Sequence, residues 1–349
     1  MRMSARSMAT LILAIWLAAV QSAPAVQPSA AVAPVKVLEV GHGKVPGKPT
    51  VITAVALAAG GQLLASGGDD HLVRIWNTKT GELTQTLTGH ADWVRSLSFN
   101  PDHSLLASAG DDHQLVVWQV GQSQPPRVLA ERGAPVYSAV FSGDGRRIAA
   151  VGFEEAVTIY DVETGKVERK LNGPCGDLRC VVFSPSDEHV AVVGRNGQIR
   201  VWSTTDWSVA LEINADQQRV RNLAYSPDGA KLAAAGDGRT IGLWDAHTGK
   251  LLHRLTAKPA KIMSLAFCGD ELLATGGSDN VVRIWDLTKP AERWHLSGHS
   301  GSVAALACDP QTGVLASGSF DTTVRVWQFD LQGPAAETAA QPGLLPGLK

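Results

Sequence analysis

Seven aromatic residues recur along this chain at an almost constant interval: Trp76, Trp118, Tyr160, Trp202, Trp244, Trp285 and Trp327. The successive intervals are 42, 42, 42, 42, 41 and 42 residues. Each aromatic closes a short apolar run, and a period near forty with one such residue per unit is the mark of a repeat architecture. Seven units of this kind make a closed ring.

The last unit shows the local pattern most clearly. Three apolar runs, Val303–Cys308, Val314–Ser317 and Val324–Trp327, are punctuated by Pro310, Gly313, Gly318 and Asp321. Short runs bounded by Gly, Pro and Asp read as strands joined by tight turns. A fourth run leads into the next unit, as Leu83–Leu87 does before Gly89–His90. Each unit is therefore expected to be a four-stranded antiparallel sheet, too small to bury its own faces and dependent on its neighbours.

These features resemble the WD-repeat family of β-propellers over residues 35 to 328. The family's Trp-Asp ending stands as Trp244–Asp245 and Trp285–Asp286; it is relaxed to Trp76–Asn77, Trp118–Gln119, Tyr160–Asp161, Trp202–Ser203 and Trp327–Gln328. Its opening Gly-His stands at Gly41–His42, Gly89–His90 and Gly298–His299. The resemblance implies an all-β, seven-bladed propeller whose N-terminal strand, Val35–Val40, completes the last blade and so removes a free edge.

It also implies a buried network joining the Gly-His histidine, a second-strand Ser or Thr, a turn Asp and the Trp indole. His90, Ser108, Asp112 and Trp118 match it, as do His299, Ser317, Asp321 and Trp327. Blade one offers Ser66, Asp70 and Trp76, with His42 displaced by an insertion; blade six keeps Thr275, Asp279 and Trp285 without a histidine. A His-Asp-Ser set invites comparison with a catalytic triad. Recurrence in more than one blade argues instead for a satisfied core network. In blades three, four and five, Glu154, Asn196 and Gly238 replace the turn Asp and Ala150, Val192 and Ala234 replace the Ser, so these blades are expected to rest more on packing.

The organisation expected is a signal peptide over 1–25, a flexible Ala/Pro lead-in over 26–34, the propeller over 35–328 and a low-complexity tail over 329–349. The first segment has the order of a secretory signal: Arg2 and Arg6, the apolar run Ala9–Val20, then Ala23-Pro24-Ala25. The alternative is an uncleaved anchor, although the apolar run is short for a membrane span. Cleavage leaves no membrane span, and the location expected is periplasmic, cell-envelope or secreted. A net charge of −2 supplies no basic field for nucleic acid.

Export would place Cys175, Cys180, Cys268 and Cys308 in an oxidising compartment. Cys308 stands where other units have Phe99, Phe141, Phe183 and Phe267, and reads as a small buried hydrophobe. A Cys175–Cys180 bridge is left open by their proximity. No Cys pair has metal or redox spacing, no cofactor motif is present, and no metal site is assigned. His71 and His113, in adjacent turns beside Asp69–Asp70 and Asp111–Asp112, read as solvated turn residues rather than ligands.

Functional residues are sought where the repeat is free to vary. Aligning the units on Ile52, Val94, Val136, Leu178, Val220, Ile262 and Val303 places Thr53, Arg95, Tyr137, Arg179, Arg221, Met263 and Ala304 at the next position. The resemblance sets that position at the mouth of the central channel. Trp93, Arg219 and Lys261 precede the aligned residues, and Phe153, Arg195 and Phe320 occupy turns on the same face. Arg, Tyr and Trp are common interface anchors, and Arg suits carboxylates. The competing reading pairs these arginines with local acids such as Asp177, Asp216 and Glu131. The function expected is a non-enzymatic scaffold that binds a protein or peptide through Trp93, Arg95, Tyr137, Phe153, Arg179, Arg219, Arg221 and Lys261, with an acidic ligand as the sharper form. The alternatives are a hydrolase- or lactonase-type propeller enzyme and a purely structural envelope protein.

Overall fold

The computed structural model describes residues 34, 36–40, 50–215, 219–257 and 260–329. The expected signal segment, the Gly41–His42 pair, Asp216 and the chain beyond 329 lie outside the described residues. Twenty-eight strands, β1 (Lys36–Glu39) to β28 (Thr323–Gln328), form seven four-stranded antiparallel sheets, and the described residues contain no helix.

Blade one is β2 (Ile52–Leu57), β3 (Leu63–Gly68), β4 (Leu72–Asn77) and β5 (Leu83–Thr88), paired in chain order. Blades two to six repeat this plan with β6–β9, β10–β13, β14–β17, β18–β21 and β22–β25. Blade seven is composite: β26 (Val303–Asp309), β27 (Val314–Ser319) and β28 are completed by β1, with Lys36 opposite Val326 and Glu39 opposite Thr323. The innermost strands, β2, β6, β10, β14, β18, β22 and β26, each pack against the next, and β26 returns to β2 to close the ring.

Burial explains the sequence pattern of each strand. The second strands, such as β7 (Leu105–Gly110), are buried almost throughout because a neighbouring blade covers each face. After the first residue their sequences are therefore runs of aliphatic and small residues rather than alternating ones. The outermost strands bury little more than one anchor: Leu87, Leu171, Ile213 and Leu255 in blades one, three, four and five. The repeating indoles lie between blades; Trp76, for example, packs with Leu38, Val40 and Ile52 where the ring closes. In blade five a Cβ on Gly242 would fall 2.0 Å from the Trp244 ring, so this third-strand position is filled by the indole instead of its own side chain.

Two features depart from the sequence reading. Cys268 and Cys308 form a disulfide between adjacent inner strands, with Cα atoms 5.3 Å apart, while Cys175 and Cys180 are free thiols. A register shift between Phe267 and Gly269 lies at Cys268 in β22 (Ile262–Gly269), which brings its sulfur to Cys308 on β26. Cys308 is thus a covalent link rather than a mere small hydrophobe. Phe329, assigned to the tail, is buried and stacks on Trp294 with ring centroids 5.4 Å apart.

Candidate functional site

Every innermost strand carries the same irregularity at its first residues. Register shifts fall between Ile52/Ala54, Val94/Ser96, Val136/Ser138, Leu178/Cys180, Val220/Asn222, Ile262/Ser264 and Val303/Ala305. The skipped residues are Thr53, Arg95, Tyr137, Arg179, Arg221, Met263 and Ala304, the positions selected from the sequence. A bulge leaves its extra residue out of the ladder and re-aims its side chain. Thr53, Arg95 and Ala304 accordingly line a recess of about 160 Å³ in the channel.

One position further on, a belt of side chains from Ser96, Ser138, Cys180, Asn222 and Ser264 ties the inner strands of blades two to six each to the next. Ser96 Oγ donates to the Ala139 carbonyl (3.1 Å), Asn222 Nδ2 to that of Met263 (3.0 Å) and Ser264 Oγ to that of Val303 (3.2 Å). The Cys180 thiol donates to the Leu223 carbonyl at 3.6 Å, and burial pushes its pKa up to about 11. A thiol so held is a structural donor rather than a nucleophile.

The glycine ending each of the first six second strands places the acids of this face. A Cβ at Gly110 would lie 2.3 Å from the Trp93 carbonyl oxygen, and one at Gly236 2.2 Å from that of Arg219. This close approach lets the Asp111 amide donate to Trp93 O (2.9 Å) and that of Asp237 to Arg219 O (3.3 Å). Each carboxylate thereby meets the bulge arginine of its own blade. Arg95 forks onto Asp111, its Nε donating to Oδ1 at 2.9 Å, and Arg221 Nε donates to Asp237 Oδ1 at 2.8 Å. Arg179 is held by Asp177, with Nε 2.6 Å from Oδ1 and Nη2 donating to Oδ2 at 2.9 Å. Arg221, then burial acting in opposition, sets the Asp237 carboxyl below its ordinary range.

The reading that local acids pair with the arginines therefore holds for Asp177. The partners Asp111 and Asp237 were missed, because each stands 16 residues beyond its arginine in sequence. The arginines are not bare charges, yet the acids do not balance them everywhere. Arg195 Nη1 lies 4.0 Å from Asp177 Oδ2, and Arg219 Nη1 lies 3.8 Å from Asp237 Oδ2, beyond hydrogen-bond reach. Both side chains are 56% exposed, whereas the two acids beneath them are 13% exposed. Arg219 adopts a left-handed backbone (φ 57°), and its amide donates to the Arg195 carbonyl at 2.7 Å, linking blades four and five.

Aromatic rings flank these cations. The Arg95 guanidinium lies 4.5 Å from the Trp93 ring centroid, and that of Arg179 lies 4.2 Å from Tyr137 and 5.5 Å from Phe153. Tyr137 and Phe153 face each other at 5.8 Å, and Phe153 is 50% exposed. Lys261 lies close enough to Asp237 to lower its pKa as well, and its amide donates to Ser278 Oγ at 3.1 Å. The candidate residues thus fall into two groups, Trp93 with Arg95 on blade two and the Tyr137-to-Lys261 arc on blades three to six. Phe320 is exposed on the turn of blade seven.

The network residues lie together in blades two and seven. His90 Nδ1 is 2.7 Å from Asp112 Oδ2 and its Nε2 is 2.6 Å from Ser108 Oγ, which accepts the Trp118 indole N–H at 2.7 Å. His299, Asp321, Ser317 and Trp327 repeat this at 2.8, 2.7 and 2.9 Å. Burial opposes ionisation of Asp112 and Asp321, but the histidines and the Ala91 and Ser300 amides hold both carboxyls below the usual range. In blades one and six a third-strand arginine meets the turn Asp: Arg74 lies 2.7 Å from Asp70 and Arg283 lies 2.5 Å from Asp279. Blade three, expected to rest on packing, instead pairs Arg132 with Glu154. Arg132 stands four residues before the bulge-strand start, as His90 does, so Arg–Glu replaces His–Asp. His71 and His113 occupy left-handed turn positions (φ 66° and 68°), and the described residues hold no group of three or more His, Cys, Asp or Glu arranged for a metal.

A cavity of about 560 Å³ opens at the other end of the channel among Leu57, Phe99, Phe141, Phe183, Tyr225 and Phe267. These side chains wedge between blades and present few polar groups, so the mouth carries the better recognition chemistry.

The fold and this face define a closed seven-bladed propeller with a variable, bulge-displayed rim. A family profile described as WD domain, G-beta repeat matches residues 34–77, 81–119 and 291–328, and one described as Anaphase-promoting complex subunit 4 WD40 domain matches 174–270. The chain belongs to the WD-repeat propeller family. Similar curated proteins include the protein transport protein sec13 of Aspergillus fumigatus (39% identity over 74 residues, 19% of this chain and 24% of that protein). Others are the nuclear distribution protein PAC1 of Mycosarcoma maydis (39% over 54 residues, 16% and 12%) and the probable serine/threonine-protein kinase PkwA of Thermomonospora curvata (49% over 43 residues, 12% and 6%). The chain therefore spans no more than a quarter of the length of these relatives.

Proposed function

We propose that this propeller is a non-enzymatic scaffold that holds a protein or peptide segment on the channel-mouth face. The observation that carries this reading is the arc from Tyr137 to Arg221, in which two bulge arginines are held by half-buried aspartates and one of them, Arg179, stacks on Tyr137 and Phe153. Cations pre-ordered in this way lose little side-chain entropy on binding, and stacked Arg–aromatic pairs are typical interface anchors. Similarity to proteins named for transport and nuclear distribution supports a scaffold role in the coarse sense. The Arg2–Ala25 segment supports export to the periplasm or cell envelope; no helix among the described residues is long and apolar enough to cross a membrane.

The test is paired capture from the source cells. The bait is compared with Trp93→Ala/Phe153→Ala, which truncates the half-buried Trp93 ring and the exposed Phe153 ring and leaves the residues of the Arg–Asp pairs in place. A partner retained by the first and lost by the second supports the reading; identical captures refute it. Fractionation with N-terminal mass determination checks the location, where a mature chain starting after Ala25 in the exported fraction is expected.

A further inference from the structure

Arg179, Arg195, Arg219 and Arg221, with Val220, line one recess of about 150 Å³ between blades four and five. Among the described residues, two aspartates stand beneath these four guanidiniums. Asp177 and Asp237 take up Arg179 and Arg221 through their Nε edges. Among the described residues, Arg195 and Arg219 reach these aspartates at charge-contact distance only, and both side chains line the recess. Lys261 adds positive charge from blade six. Among the described residues, this floor fixes the arginines with two carboxylates beneath four guanidiniums, an excess of two positive charges.

Resting on the proposed use of this face, we propose that the recess is a binding site for a doubly charged tetrahedral oxyanion of the phosphate-monoester class. An excess of two positive charges matches one dianion, and planar guanidinium forks bind phosphate oxygens in parallel pairs. The volume admits one such group and excludes a bulky side chain. Arg179 connects the recess to the Tyr137–Phe153 pair, so the organic part of an ester would lie on an aromatic shelf. A free phosphate ion and an ester share the charged head and differ in their use of that shelf.

The experiment is calorimetric titration of the folded chain at low ionic strength with inorganic phosphate, phenyl phosphate, sulfate and acetate. One phosphate site per chain is expected, with acetate at least tenfold weaker. Phosphate affinity should rise about tenfold between pH 5 and pH 8, since an ester loses its second proton near pH 6 and inorganic phosphate about one unit higher. Sulfate, which loses no proton in this range, reports any titration of the surrounding protein groups. Severalfold tighter binding of phenyl phosphate assigns an ester; equal affinity assigns the free ion. Arg195→Gln/Arg219→Gln should weaken phosphate at least tenfold, whereas Arg146→Gln, an exposed arginine elsewhere, should not. Both altered arginines are largely exposed, and a melt matching that of the parent confirms the fold. No saturable phosphate binding, or equal binding by the double variant, overturns the proposal. Such a failure with ring-dependent partner capture intact removes the anion site alone; failure of both removes the scaffold reading as well.

Discussion

Breaking the Cys268–Cys308 bond should weaken the ring by a calculable amount. The bond closes a loop with a sequence separation of 40 residues. In the chain-entropy account, such a cross-link removes about 13 cal/mol/K from the unfolded ensemble, or about 4 kcal/mol at 25 °C. The folded state loses little on reduction, because Cys268 is fully buried and thiols pack as small hydrophobes. With roughly 2.1 cal/mol/K of unfolding entropy per residue over the ring, this corresponds to a drop of roughly 6 °C in Tm. The assay is thermal and urea unfolding of the parent and of Cys268→Ala/Cys308→Ala, each with and without reductant. Reductant should lower the parent to near the double variant and leave the double variant unmoved. Cys175→Ser should respond to reductant as the parent does. The reasoning is refuted if oxidised and reduced parents unfold together. It is equally refuted if alkylation of the denatured, unreduced chain labels four thiols instead of two.

Three further outcomes are expected. His299→Ala leaves Asp321 and Ser317 buried without their partner and should cost about 1–3 kcal/mol in urea unfolding, whereas His247→Ala, at an exposed position, should cost almost nothing. The Asp112 and Asp321 carboxyls are held low in the folded state, so the unfolded chain binds more protons in acid. Their contribution is complete above about pH 4 and is lost as pH falls through the folded values; melts from pH 7 to pH 3 should show an acid limb that is shallower in Asp112→Asn/Asp321→Asn. Deleting residues 36–39 strips β28 of its partner and uncovers the cluster of Val324, Val326 and Trp76, so light scattering should show association of the whole ring and limited proteolysis should reach blades other than the seventh.

The blade count and the aligned mouth positions were legible from the repeat itself, and the composite seventh blade from the family resemblance; that the mouth positions are bulges was seen only in the structure. A period fixes register, and register fixes which residue stands at each mouth position. What escaped the sequence was contact between unlike positions. Asp111 and Asp237 reach Arg95 and Arg221 because the glycine before each acid brings two backbones together, and no spacing rule announces that approach. Arg132 took the place of a histidine while Glu154 took that of an aspartate, a paired exchange hidden when each is compared singly with its own column. The disulfide was hidden for the same reason: Cys268 and Cys308 stand at different repeat positions, and only the register shift at Cys268 in β22 brings them together.

The pairing of Lys36 with Val326 also sets an order of events in the life of the chain. β1 is synthesised long before β28 and has no partner until nearly every residue of the ring is present. Blades one to six can each assemble from neighbouring segments, but the seventh cannot begin from one end alone. Closure is therefore the last and most non-local step, the kind that slows folding most. A product cut short anywhere before β28 carries an unsatisfied strand and an open wedge, the exposed edges that quality-control proteases and chaperones recognise. The same four residues that seal the finished ring thus act as a completeness check on the chain that makes it.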